Sequence, residues 1–190
     1  MSDTISEKTP KLTYVANFLS LSRIILSPVL AWMVLYRNPW WLSFALGILV
    51  ASTDKIDGEL ARYSKPTRTG AFLDTVADKV LLLFVGWAVV KVGSFSWIPM
   101  AIITVREVFM TVYRIYWGKK GLAMPARKSG KYKAFIQAIA IASAMLPLLE
   151  GYPLVDDVLI WVAVAITLFS AAQYIMDGKS ALSTTGELPK

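Results

Sequence analysis

Six apolar stretches dominate the chain, and each is close to the roughly 20 residues that an α-helix needs to cross a bilayer. They lie at roughly 19–37, 41–62, 71–92, 96–117, 131–149 and 154–176. Breaks rich in Gly, Pro and polar residues separate them, as is typical of loops between helices. With 56% hydrophobic and only 17% charged residues in 190, the composition is unlike that of a soluble domain. The sequence therefore predicts an all-α integral membrane protein with six transmembrane helices in a single domain over residues 1–190.

The segment before the first stretch and the charge pattern predict how the chain meets the membrane. Residues 1–10 form a polar tail without the apolar core of a removable signal peptide, and residues 11–18 suggest a short amphipathic segment on the membrane surface. Basic residues concentrate in two loops: Lys65 and Arg68 between spans two and three, and Lys119, Lys120, Arg127, Lys128, Lys131 and Lys133 between spans four and five. Because cytoplasmic loops carry excess Lys and Arg, both loops and both termini are predicted to face the cytoplasm at a bacterial-type inner membrane.

The inventory of reactive side chains excludes several kinds of chemistry. The chain has no Cys and no His, so disulfides, thiolate metal sites and serine–histidine or cysteine–histidine catalysis are excluded. Any metal must be bound by oxygen ligands, which favours Mg²⁺, Mn²⁺ or Ca²⁺ over zinc. The net charge of +7 also favours the binding of anionic lipid or of a phosphate group. Nucleic acid is not expected as a partner, because the sequence predicts no soluble basic face to hold it.

Four aspartates lie within 25 residues, where the second stretch ends and the third begins. Asp54 and Asp57 are three apart, and Asp74 and Asp78 are four apart, so each pair shares a helical face. The short loop predicts that the two helices are antiparallel neighbours, with the carboxylate pairs facing each other across a cleft. A carboxylate inside a bilayer costs about 2.5–3.5 kcal/mol on insertion scales. A compensating ligand is therefore expected, and the geometry suits one or two hard divalent cations.

Small residues and one arginine accompany the aspartates on the same faces. Gly58 leaves room for a ligand or backbone to come close, and Ala61 keeps that face small one turn later. Arg62 offers a planar fork for a phosphate, and Gly70 lies one turn before Asp74. A simpler interpretation is that the aspartates pair with Lys55, Arg62 and Lys79 at a solvated membrane edge. That interpretation explains single charges but not the alignment of Gly, Ala and Asp on common faces.

Together these residues resemble the motif of the CDP-alcohol phosphotransferase family, Asp-x-x-Asp-Gly-x-x-Ala-Arg followed by Gly-x-x-x-Asp-x-x-x-Asp, with every fixed position filled. Seven residues separate Arg62 from Gly70, against an expected spacing of about eight or nine in the family. The resemblance implies six spans, divalent metal bound by the aspartates, and displacement of CMP from a CDP-linked lipid by an alcohol.

The resemblance also implies roles for individual residues. Asp54, Asp57 and Asp74 would bind metal, and Asp78 would help to hold a second ion and act as general base on the attacking hydroxyl. Contacts with the CDP portion would come from Asp54, Gly58, Ala61, Arg62 and Gly70. The implied cofactor is Mg²⁺ or Mn²⁺, as two ions, and the implied assembly is a homodimer.

Cations in the fourth and fifth stretches predict an anionic acceptor. Arg106 and Arg114 are eight apart and share a helical face, while Lys131 and Lys133 begin the fifth stretch. Arginine inside a span is energetically costly and usually functional, so these four residues predict a pocket for the phosphate of the acceptor. The alternatives are an internal Arg106–Glu107 pair, and snorkelling of Arg114 and the lysines to the interface.

The same region resembles the phosphatidylglycerophosphate synthase branch of the family. The shared patterns are Arg-Glu-x-x-x-Thr-x-x-Arg at 106–114, Gly-Lys-x-Lys at 130–133 and Asn-x-Leu-Ser-x-x-Arg-x-x-x-x-Pro at 17–28. The resemblance covers about residues 15–135. It implies CDP-diacylglycerol and glycerol 3-phosphate as substrates, phosphatidylglycerophosphate and CMP as products, and membrane lipids as surroundings.

Other functions remain open from the sequence. A sister branch would use inositol phosphate or phosphatidylglycerol as acceptor. A divalent-cation transporter also needs intramembrane carboxylates, but spans two and three are apolar away from their cytoplasmic ends. An intramembrane prenyltransferase would need a longer bundle and another aspartate spacing. A scaffold with an inactive site is disfavoured by the complete motif.

Overall fold

The computed structural model describes the backbone of residues 8–36, 40–63, 68–119, 128–146 and 152–185. Within these ranges it does not describe the side chains of residues 8–13, 16, 40, 53–63, 68, 69, 71, 119, 128–131 and 177–185. The described secondary structure consists of helices, in the order α1 (Lys8–Leu35), α2 (Trp40–Tyr63), α3 (Arg68–Val92), α4 (Trp97–Lys119), α5 (Lys128–Ala144) and α6 (Pro153–Thr185). The predicted all-α class is therefore confirmed.

Each predicted apolar stretch corresponds to one of these helices. Helix α1 begins at Lys8, so the amphipathic segment predicted at residues 11–18 is continuous with the first apolar stretch instead of forming a separate element. The turn between α3 and α4 contains Gly93 at φ +88°, a left-handed conformation that glycine adopts without steric penalty. The Gly93 N–H donates to the Val90 carbonyl oxygen at 3.0 Å, which closes the end of α3.

Two helices in the described part of the chain are long and apolar enough to cross a membrane by length and composition, at Asn17–Leu35 and Pro153–Met176. Shorter apolar helical segments occur at Trp41–Ser52 and Tyr132–Ala144. Helices α3 and α4 are long, but each contains several charged residues. These charged residues, which lower the mean hydropathy of both helices, include those that form the candidate site.

In the described part of the chain, the helices pack around an apolar core whose buried residues come mainly from α1, α3, α4, α5 and α6, and Phe44 and Leu46 of α2 pack against it. Its most buried members include Leu30 of α1, Val89 of α3, Met100 of α4, Ala140 of α5 and Ile160 of α6. Large apolar side chains are also exposed on the outside of the bundle, among them Trp32, Phe84, Val105, Phe135 and Phe169. Exposed apolar surface of this extent is typical of a face that contacts lipid or another protein.

Helix α1 is the main neighbour of both helices that carry the aspartates. In the described part of the chain, α2 and α3 each pack chiefly against α1. The side chains at the ends of α2 and α3 next to their connecting loop are outside the described residues, so the predicted antiparallel contact between these two helices stays a prediction. Small buried residues explain the close packing of α1 on α3: Ser20 and Ser27 on α1, and Ala77 on α3.

Candidate functional site

The second aspartate pair lies near the start of α3 and faces α1. Asp74 and Asp78 are one turn apart, and a single guanidinium from α1 contacts both of them. Arg23 Nη2 lies 3.1 Å from Asp74 Oδ1, and Arg23 Nη1 donates to Asp78 Oδ1. The Ser20 hydroxyl lies 3.4 Å from Asp74 Oδ1 on the same face of α1. One arginine therefore fixes the separation of two carboxylates, because its planar fork has a rigid geometry.

Burial differs sharply across this ion pair. The Arg23 side chain is 1% exposed, whereas the side chains of Asp74 and Asp78 are 42% and 47% exposed. A buried guanidinium is stable when carboxylates pair with it, and here the carboxylates keep access to solvent. The arrangement leaves two positioned, accessible carboxylates that can bind a cation or accept a proton.

The first aspartate pair lies on α2, but its side chains are outside the described residues. Asp54 and Asp57 fall within Trp40–Tyr63, as do Gly58, Ala61 and Arg62. Their predicted contacts with metal and CDP therefore stay predictions. Gly70 is described on α3, one turn before Asp74 and partly exposed.

The donor atoms present are suitable for a hard divalent cation. Asp74 and Asp78 offer carboxylate oxygens on one accessible face, and the chain has no sulfur or imidazole ligand from Cys or His. The described side chains by themselves contain no group of three or more acidic residues that could hold a metal ion. Further ligands would have to come from Asp54 and Asp57, the predicted partners on α2.

The predicted acceptor residues meet around a carboxylate that the sequence did not single out as a site residue. Glu107 of α4 is 3% exposed, and its Oε1 lies 3.0 Å from Arg106 Nη1 and 2.5 Å from Lys133 Nζ of α5. Arg106 Nη2 also lies 3.4 Å from the Ser170 hydroxyl of α6. The structure thus brings Arg106 and Lys133 together at Glu107, and it contains the Arg106–Glu107 pair that was the alternative interpretation.

Lys79 is a further cation at this carboxylate. It directly follows Asp78, and its Nζ lies 4.0 Å from Glu107 Oε2. The ammonium donates to Thr111 Oγ1, and the Thr111 hydroxyl donates to the Glu107 carbonyl oxygen at 2.6 Å. We call Lys79, Arg106, Glu107 and Lys133 the Glu107 cluster. It holds three cations and one carboxylate, so its members sum to a formal charge of +2.

The other two predicted acceptor residues are placed differently. Arg114 is exposed, and its guanidinium carbon lies 4.8 Å from the centre of the Tyr174 ring of α6. This is a cation–π contact, which holds the arginine on α6 and not on Glu107. Lys131 lies on α5, and its side chain is outside the described residues.

Three residues of the site were missed as functional from the sequence. Arg23 lies in the first apolar stretch, and the energetic cost of an intramembrane arginine, which marked Arg106, applies equally to it. Glu107 carried the same signal, since a carboxylate in an apolar stretch needs a partner. Lys79 was considered only as a partner of the aspartates, because its position beside Asp78 did not reveal that it turns toward α4.

One family profile and several known proteins are similar in sequence to most of this chain. The profile of a family described as CDP-alcohol phosphatidyltransferase matches residues 13–169. A Mycobacterium tuberculosis protein named "Probable phosphatidylglycerophosphate synthase" is 32% identical over 174 residues, which cover 87% of this chain and 81% of the relative. The CDP-diacylglycerol–glycerol-3-phosphate 3-phosphatidyltransferases of Shigella flexneri serotype 5b and Escherichia coli K12 are 33% and 32% identical over 177 residues, covering 88% of this chain and 96% of each relative.

Proposed function

Because the chain belongs to the CDP-alcohol phosphatidyltransferase family, we propose that it transfers the phosphatidyl group of CDP-diacylglycerol to glycerol 3-phosphate. The products are phosphatidylglycerophosphate and CMP. The observation that carries this proposal is the similarity, over most of their length, to relatives that bear the name of this enzyme. The geometry supports it, because the accessible Asp78 carboxylate lies next in sequence to Lys79, a member of a cluster with surplus positive charge.

In the proposed reaction the acceptor hydroxyl attacks the phosphorus that bears diacylglycerol. A new phosphate ester bond forms, and the anhydride bond to CMP breaks, so CMP leaves with the bridging oxygen. Asp78 is the proposed general base that accepts the hydroxyl proton. Its half-exposed carboxylate can reach a soluble alcohol, and Arg23 holds it in place. Arg23 thus acts as a positioning residue for the base.

Asp54, Asp57, Asp74 and Asp78 are the proposed ligands of two Mg²⁺ or Mn²⁺ ions. When bound, the ions would neutralise the diphosphate and stabilise the charge of the leaving CMP. The proposed contacts to the CDP portion come from Asp54, Gly58, Ala61, Arg62 and Gly70. Small residues permit close approach of the nucleotide to the helix backbone, and Arg62 provides two parallel donors for a phosphate.

The proposed site for the acceptor phosphate comprises Arg106, Arg114, Lys131 and Lys133. Support comes from the formal charge of +2 on the largely buried Glu107 cluster. An uncompensated buried charge is unfavourable, so an anion of opposite charge would stabilise this region. The phosphate monoester of glycerol 3-phosphate provides up to two negative charges and several acceptor oxygens.

The proposed setting is a bacterial cell membrane that the six helices span, with both termini and the catalytic site at the cytoplasmic face. Exposed apolar side chains on the outside of the bundle support contact with lipid. This orientation would let soluble glycerol 3-phosphate reach the site while CDP-diacylglycerol stays in the bilayer. A homodimer is part of the proposal, on the basis of the family resemblance.

The activity is tested by CMP release from the purified protein in detergent with CDP-diacylglycerol and Mg²⁺. We expect release with glycerol 3-phosphate and not with inositol, serine, inositol phosphate or phosphatidylglycerol. Chelation by EDTA should abolish release, and excess Mg²⁺ or Mn²⁺ should restore it, because the aspartates and the diphosphate are both negatively charged and repel each other without a cation between them. Release with a different acceptor would refute the acceptor assignment, and full activity in EDTA would refute the metal site.

Replacing Arg114 by alanine should raise the KM for glycerol 3-phosphate by about tenfold, the effect of losing one charge-assisted hydrogen bond. The KM for CDP-diacylglycerol should change less than twofold, and steady-state kinetics with each substrate varied in turn measures both. Lys91→Ala is the matched control, because Lys91 is an exposed cation at the far end of α3. Equal changes in both KM values would contradict an acceptor role for Arg114.

A further inference from the structure

Lys79 stands between the two halves of the candidate site. It follows the proposed base, Asp78, by one residue, which on an α-helix rotates the side chain by about 100°. Asp78 consequently faces Arg23 of α1, while Lys79 extends to Thr111 and Glu107 of α4. Asp78 and Lys79 are thus adjacent on α3, and their side chains reach two different neighbouring helices.

The three cations of the Glu107 cluster are not equivalent. Arg106 and Lys133 both contact Glu107 Oε1 at hydrogen-bonding distance, and their side chains are 6% and 11% exposed. Lys79 lies 4.0 Å from Oε2, outside hydrogen-bonding distance, and its side chain is 23% exposed. The single Glu107 charge is thus shared chiefly with the two buried cations, and Lys79 is the most accessible cation of the cluster.

An ammonium group has three donors, and the hydrogen bond recorded for Lys79 in the described part of the chain goes to the Thr111 hydroxyl. Thr111 is itself fixed by its bond to the Glu107 carbonyl oxygen. This contact aims the ammonium without neutralising it, since a hydroxyl carries no charge. An anion that approaches the cluster from solvent would meet Lys79 before the buried pair.

We propose that Lys79 binds the phosphate of the acceptor and is a specificity-determining residue that selects a phosphorylated alcohol over a neutral one. This inference rests on the proposed function and assigns a further residue to the same site. Lys79 and Asp78 would act on the two ends of one small molecule, Lys79 on the phosphate and Asp78 on the hydroxyl. A neutral alcohol such as glycerol would leave the charge of Lys79 and of the cluster uncompensated.

The test compares Lys79→Met, which removes the charge at similar length, with Lys79→Arg, which keeps it. For Lys79→Met we expect the KM for glycerol 3-phosphate to rise about 10–100-fold, with the KM for CDP-diacylglycerol within twofold of wild type. Lys79→Arg should recover most of the loss. The ratio of kcat/KM for glycerol 3-phosphate to that for glycerol should fall by a similar factor, because only the charged acceptor uses the ammonium. Lys91→Met controls for loss of a lysine on α3.

A binding measurement separates this role from a structural one. The rise in Tm that glycerol 3-phosphate and inorganic phosphate produce in the detergent-solubilised protein should be lost in Lys79→Met and kept in Lys91→Met, while the Tm without ligand stays unchanged. Lys79→Gln, which keeps a donor for Thr111, gives a second neutral variant if Lys79→Met unfolds.

Two outcomes would overturn the proposal: unchanged KM for glycerol 3-phosphate in the neutral variants, or equal increases in both KM values. If the wild-type protein releases CMP in the presence of glycerol 3-phosphate, either result would refute the role of Lys79 and leave the proposed function intact. A wild type that is inactive with glycerol 3-phosphate would defeat the proposed function itself.

Discussion

Replacing Asp78 by asparagine is expected to lower kcat for CMP release by about 10²–10⁴-fold, the range that a general base contributes. Asparagine has nearly the same shape as aspartate, but its amide cannot accept a proton from the acceptor hydroxyl. It can still accept a hydrogen bond from Arg23 through its carbonyl oxygen, so the packing of α1 on α3 should persist. The loss should therefore appear in kcat, with a folded protein and an intact CDP site.

A binding measurement and a control variant separate the loss of a base from the loss of a site. The dissociation constant for CDP-diacylglycerol, measured by equilibrium binding, should change by less than about tenfold, because Asp54, Asp57 and Asp74 remain. Asp157→Asn is the matched control, since Asp157 lies near the start of α6 and the charge pattern predicts that it is on the opposite side of the membrane from Asp78. Turnover of Asp78→Asn within tenfold of wild type would disprove the assignment of the base.

The regular features of this fold follow from the sequence, and the neighbours of each helix do not. Apolar stretches bounded by Gly and Pro predict the six helices, because each helix satisfies its own backbone hydrogen bonds. Which helices touch depends on side-chain shape, such as the small Ser20 and Ala77 that let α1 approach α3 closely. The loop between α2 and α3 suggested direct contact between them. Loop length limits the separation of two helix ends, but it does not show that α1 is the main neighbour of both α2 and α3.

The candidate site shows the same division between what could and could not be predicted. Spacing on a helix placed Asp74 and Asp78 on one face, and the positive charges in the fourth and fifth apolar stretches brought Arg106 and Lys133 into consideration together. Spacing could not show that Glu107 joins the two cations, because the contact depends on how α4 and α5 are rotated about their axes. Spacing also could not show where Arg114 lies. It shares a helical face with Arg106, but its guanidinium contacts the Tyr174 ring of α6.

Replacing Arg23 by methionine should lower kcat by about 10²-fold, because displacement of reacting groups by about 1 Å can cost that much. Arg23 holds both Asp74 and Asp78, so its loss frees a proposed metal ligand and the proposed base together. The fold should tolerate the change. Removing one partner of a buried ion pair is destabilising when the remaining charge stays buried, but Asp74 and Asp78 are half exposed and can be solvated after Arg23 is lost.

Arg23→Lys decides whether the guanidinium positions the carboxylates or only fills space. A lysine retains the charge but has no planar fork, so it can hold one carboxylate at a time, and we expect it to recover only part of the lost kcat. Met fills space as well as Lys does, so a purely structural role predicts equal activity for the two variants and a Tm below that of wild type. Positioning predicts a wild-type Tm, KM values for both substrates within about threefold of wild type, and kcat falling in the order Arg, Lys, Met. Wild-type kcat in Arg23→Met would show that Asp74 and Asp78 reach their working geometry without Arg23.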